Sequence, residues 1–199
     1  MTETDRTDAP SEIDPALRLD ARDGLPDGLR VLVKALPPEV WTSHAGFGGL
    51  TRFWLERHAA FRRILDRIAE EAEAAASGGT AVEAYAPSLY RHASVLLGEL
   101  HGHHTIEDAQ YFPQLRRLQP AVAHGFDLLE ADHRDLDARL HDFAGQVNQV
   151  LAAAGEGTLT PDGVAPFAET LDGFRIPLDR HLVDEEEIVI PALLTLSSG

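Results

Sequence analysis

The chain has 199 residues, enough for one substantial hydrophobic core and too few for two full-sized domains. Its 33 acidic against 17 basic residues give a formal charge of −16, which repels nucleic acid and anionic membranes, so neither is an expected partner. Cysteine is absent, which removes disulfides, thiolate nucleophiles and sulfur-ligated metals and leaves His and carboxylate as the available metal ligands. The chain begins MTETDRTDAPSEIDP, without the apolar core of a signal peptide, and no later run is apolar enough for a membrane span, so a cytoplasmic location is expected. Residues 1–28, acidic and polar with Pro10, Pro15 and Pro26, read as a flexible tail. Residues 29–49 read as a short helix over Leu29–Leu36, stopped by Pro37-Pro38, and a connector, WTSHAGFGG.

From Leu50 the pattern becomes helical. Leu50, Trp54, His58, Phe61, Leu65 and Ile68 share one face of a helix that SGGT stops near Ala76. The second stripe runs Leu89, His92, Leu96, His103, Glu107, Tyr111, Leu118 and ends at Gln119-Pro120. The third runs Phe126, Leu129, His133, Leu136, Leu140, Phe143, Val147, Val150, followed by the loop GEGTLTPDG. The fourth runs Phe167, Leu171, Phe174, Leu178, His181, Glu185, Ile188, with Pro177 expected to bend it. No stretch alternates long enough for a strand, so the expected fold is all-α: an up-down antiparallel four-helix bundle over residues 50–196 with an extra N-terminal segment.

One motif occurs twice. HHTIEDAQYFP and HLVDEEEIVIP each place Glu four residues after His, and Pro six after that Glu. On a helix this spacing aims an imidazole and a carboxylate at one spot. The halves also match: a helix with a single His precedes each motif, His58 before His103 and His133 before His181. His58, His103, Glu107, His133, His181 and Glu185 therefore lie on stripes that should face inward, where burying unpaired polar groups costs several kcal/mol each. A shared metal centre removes that cost. The ligand set is too large for one tetrahedral zinc and too rich in nitrogen for magnesium or calcium, and it suits a pair of iron or manganese ions bridged by carboxylates.

On these residues the chain resembles the hemerythrin-like family, the HHE cation-binding domain, through His58 in ERHAAF, the two motifs, and His133 in EADHRDL. The resemblance covers about residues 50–195. It implies two iron ions, ahead of manganese or zinc, and binding or sensing of dioxygen, or reaction with peroxide or nitric oxide. Oxygen-carrying hemerythrins resemble the pattern but have a fifth His four residues after the first on the third helix, where this chain has Asp137. That departure favours peroxide chemistry or redox sensing over reversible carriage.

Several positions leave alternatives open. Asp137 is a carboxylate ligand or a solvated aspartate. His104 replaces His103, supplies the fifth His, or faces another helix. Tyr111 donates to a bound oxygen species, ligates iron, or packs in the core. Asp108, Asp132 and Glu186 are candidates to accept from the outer imidazole N–H groups, whereas Asp184 and Glu187 read as surface charge. Trp54 and Phe61 form a dry wall beside His58, and His92, His101, His124 and His141 are structural or exposed. A competing function is a metal-storage or metal-independent interaction bundle without redox turnover.

Overall fold

Apolar side chains at three- and four-residue steps give each long segment one buried stripe, and each stripe winds into a helix. A computed structural model describes residues 14–197, and every regular element among them is helical. The elements are α1 (Val31–Ala35), α2 (Pro38–Trp41), α3 (Gly49–Ala76), α4 (Val82–Ile106), a π-helical turn (Glu107–Tyr111), α5 (Phe112–Leu118), α6 (Ala123–Gly155), α7 (Pro161–Thr170) and α8 (Asp172–Leu196), with short 3-10 turns at Pro15–Leu17, Asp27–Leu29 and Pro120–Val122. Gly78 and Gly157, both at positive φ, turn the chain just beyond α3 and α6.

α4, the π turn and α5 form one continuous rod, and α7 and α8 form another, interrupted at Leu171. α3 packs against α4 and against α7 and α8, and α6 packs against α4 and α8, so four rods close a ring. At the interruption the N–H of Leu171 reaches back only three residues, to Ala168, and the carbonyl of Phe167 accepts from Thr170 Oγ1; six residues on, inside α8, lies Pro177. That proline cannot donate to the carbonyl of Gly173, which accepts instead from Arg139 Nη1 at 3.2 Å. The π turn has a similar cause. Pro113 has no N–H for the carbonyl of Ala109 and its ring crowds it. The helix widens, and the N–H of Phe112 reaches back five residues to Glu107.

The interior holds two apolar clusters. One contains Phe61, Leu65, Leu96, Leu136 and Phe143; the other contains Trp54, Phe112, Phe126, Leu129 and Ile188. The polar members of the four stripes fall between these clusters along the rods.

The N-terminal segment departs from the sequence expectation. Residues 14–28 do not form a free tail but lie against the rods, burying Leu19, Leu25 and Arg22. The two leucines join the two apolar clusters, and Arg22 finds carboxylates far along the chain, which local composition cannot reveal. The tail expectation for residues 1–13 lies outside the described residues.

Candidate metal centre

The stripes bring seven side chains together in two adjoining groups. His104, His133 and His181 form one; His58, His103, Glu107 and Glu185 form the other. Within each group the candidate ligand atoms all lie within 4.8 Å of one another. All seven side chains are buried or nearly so; His103, with 8% side-chain exposure, is the most open.

The two carboxylates join the groups. Glu107 places Oε1 3.0 Å from His103 Nε2 and Oε2 3.6 Å from His133 Nε2. Glu185 places Oε1 3.4 Å from His58 Nε2 and Oε2 3.3 Å from His181 Nε2. Each therefore turns one oxygen to each group. His103 and His104 divide in the same way. About 100° separates neighbours on a helix, and here that angle sends the two imidazoles to opposite groups.

The outer nitrogens are tethered. His58 Nδ1 donates to Glu186 Oε1 at 2.9 Å, His133 Nδ1 to Asp108 Oδ1 at 2.8 Å, and His181 Nδ1 to Asp132 Oδ2 at 3.3 Å. Every tether crosses from one rod to another, and each holds its ring with Nε2 inward, where a cation that displaces any proton there finds a lone pair. Arg22 reinforces one of them. Its Nη1 donates to Asp132 Oδ1 at 2.9 Å, its Nη2 to Asp132 Oδ2, and its Nε to Asp184 Oδ2 at 2.8 Å. Arg62 reinforces another, donating from Nη1 to Glu186 Oε1 at 2.7 Å.

The inner atoms are unsatisfied. Both nitrogens of His104, both oxygens of Glu107, Nε2 of His133 and His181, and Oε2 of Glu185 are buried without a hydrogen bond. Buried polar atoms are paired in more than about 90% of cases, so seven orphans on five neighbouring side chains call for a specific partner. Imidazole lone pairs and carboxylate oxygens at this spacing fit metal cations.

The electrostatics have the same origin. Burial, and then the neighbouring imidazoles, drives His104 far below the ordinary imidazole value, and burial carries His103 down to about 3. Burial also pulls on His181, but the Asp132 and Glu185 carboxylates outweigh it and raise His181 to about 9. Burial and the Glu185 carboxylate push Glu107 well above its usual range. Glu185 is held low because His58, His181 and His103 outweigh its burial.

The structure separates the open alternatives. His104 stands inside the centre, stacked on His133 with ring centroids 4.1 Å apart, so the fifth imidazole comes from the second rod. Asp137, weighed as a ligand, is half exposed and lies 3.9 Å from His101 Nδ1 at the surface, because one turn beyond His133 the third stripe continues through Leu136. Tyr111 packs edge-on against Trp54 at 5.1 Å. Asp184, read from sequence as surface charge, is fully buried between Arg22 and Arg180. Trp54 does more than form a wall, since its Nε1 donates to Glu185 Oε1. Its position one turn before His58 was the available signal for that role. Arg22 had no such signal.

Two hollows adjoin this region. A cleft of about 830 Å³, bordered by residues 19–23, α3 and α8, is lined by none of the seven side chains. A cavity of about 340 Å³ between α3 and α4 includes His103 and Glu107 in its wall.

Comparison with known proteins agrees with this geometry. Residues 49–193 match the family described as the hemerythrin HHE cation binding domain. Searches of curated proteins and of solved structures return no match. With the match spanning most of its length and the buried His/Glu clusters inside the matched region, this chain belongs to the hemerythrin HHE cation-binding domain family.

Proposed function

We propose that the seven clustered side chains hold two iron ions in the core of an up-down antiparallel four-helix bundle, and that this centre binds or reacts with a small molecule: dioxygen, peroxide or nitric oxide. The observation that carries the reading is the pair of carboxylates, Glu107 and Glu185, each with one oxygen toward each group of imidazoles. One ion would not need two such straddling ligands. The donor set of five imidazoles and two carboxylates exceeds what one tetrahedral zinc takes and suits a first-row redox metal.

The residues divide the work. His104, His133 and His181 would give one ion three nitrogens and His58 and His103 would give the other two, with Glu107 and Glu185 shared between them, leaving the second ion fewer protein ligands. Asp108, Asp132 and Glu186 keep three imidazoles in the tautomer that presents Nε2 inward. Trp54 holds one oxygen of Glu185, and the apolar clusters on either side limit water. Bound iron supplies electron transfer and Lewis acidity that the chain itself lacks.

Anaerobic addition of ferrous iron, followed by air, tests the reading. Two ions per chain and a new near-ultraviolet charge-transfer band are expected. A protein that retains no iron, or a single ion with an unchanged spectrum, overturns it. Turnover of peroxide or nitric oxide by the loaded protein then separates an enzyme from a binding or storage protein.

A further inference from the structure

The cavity between α3 and α4 is walled by Phe53, Trp54, Ile106 and Tyr111, and it touches the centre at His103 and Glu107. Its outer side chains are unusually apolar for a surface: Phe53 is 54% exposed and Ile106 47%. At the rim, Arg57 lies over the Phe53 ring and pairs with Glu99 at 2.6 Å, so the only cation among the lining residues is already neutralised. Among the lining residues, an anion moving inward would meet apolar surface and no unpaired positive side chain.

Gly98 and Gly102 sit one turn apart within α4, on the side that lines the cavity. Each weakens the helix relative to alanine. Neither is needed for close packing, since a Cβ built at either position meets nothing within 4 Å. What the two glycines do there is leave space open. The volume is also well beyond what a diatomic gas fills, and it lies at the lower end of pockets that hold organic ligands.

We infer that the α3–α4 cavity is the access channel and holding pocket of the centre, that it selects uncharged molecules with apolar surface over anions, and that Gly98 and Gly102 set its bore. This rests on the functional reading above only for the nature of the chemistry at its floor; the channel itself is testable without metal.

The metal-free test uses Trp54 as reporter in a Trp41→Phe background, since the chain has two tryptophans. Neutral acrylamide is expected to quench Trp54 emission and iodide to quench it far less. Gly102→Leu, and separately Gly98→Leu, should cut the acrylamide quenching constant by about half or more, whereas Gly145→Leu, on exposed α6 surface, should leave it unchanged. In iron-loaded protein with both native tryptophans, the same two leucine variants should keep the full iron content and spectrum yet slow nitric oxide association by about tenfold. Equal quenching by acrylamide and iodide, or leucine variants that fold normally and leave quenching unchanged, overturns the channel. Failure to load iron overturns the functional reading and leaves the quenching result to decide the channel.

Discussion

At the scale of single residues, the centre is a matter of which atoms face inward. His104 offers two unpaired nitrogens where Asp137 offers a half-solvated carboxylate. His104→Ala should therefore lower bound metal from two ions per chain to one, while Asp137→Ala leaves it unchanged; elemental analysis after gel filtration reads both. Asp108 is 42% exposed, so its removal should spare the fold, but it frees the His133 ring. Asp108→Ala should weaken metal affinity by about 10–100-fold in a competition titration with a chelator, with an unchanged circular dichroism spectrum. The repeated His-x3-Glu motif made four of the seven inward residues legible, because helical spacing alone puts both members on one face, and the matching single-His helices added His58 and His133. It could not choose between His103 and His104. In the fold both turn inward, one to each group, since neighbours on a helix diverge by about 100°. Asp184 was misread because, beside Arg180 one turn away, its second partner Arg22 is 162 residues away.

At the scale of elements, two chains of contact support the centre from outside. Arg22 holds Asp132, which holds His181; Arg62 holds Glu186, which holds His58. The first runs from the N-terminal segment, whose polar, proline-containing composition resembles a tail. Its ordering comes from Leu19, Leu25 and Arg22, three side chains whose partners are remote in sequence. Arg22→Ala would leave Asp132 with His181 alone and Asp184 with Arg180 alone, both carboxylates almost fully buried, so it should destabilise the protein by about 3 kcal/mol in urea unfolding. The long helices themselves were legible from their stripes. The break at Leu171 and the π turn were less so. Proline marks where a carbonyl loses its donor, but not whether the helix bends, widens or recruits Arg139.

At the scale of the whole molecule, a layer of ionisable groups separates two apolar clusters, and its occupancy should govern stability. A cation that binds only the folded state stabilises it by about 2.7 kcal/mol when present at 100 times its dissociation constant. Iron loading should therefore raise the urea midpoint, and chelation should reverse the gain. Protons compete for the same atoms. In the metal-free protein His181 is raised to about 9, so its contribution is fully present below the ordinary imidazole value and is lost as pH rises through about 9. His58, also raised, acts in the same direction; burial lowers it, but Glu185 and Glu186 outweigh that. Metal-free protein should thus lose stability from neutral pH to about pH 9, and loaded protein should not, because the cation has displaced the proton. Unfolding midpoints taken across that range compare the two. Among the described residues no helix is long and apolar enough to cross a membrane.

The clasp made by Arg22 also bears on the order of events during synthesis. Its two carboxylate partners are made 110 and 162 residues after it, the second within the last helix. A ribosome must therefore have made α8 before the N-terminal segment can settle, and contacts so distant in sequence are slow to form. Glu185 emerges as late as Asp184, so the inner chamber acquires its full set of inward-facing side chains only once α8 has been made, and cation uptake must wait for that helix.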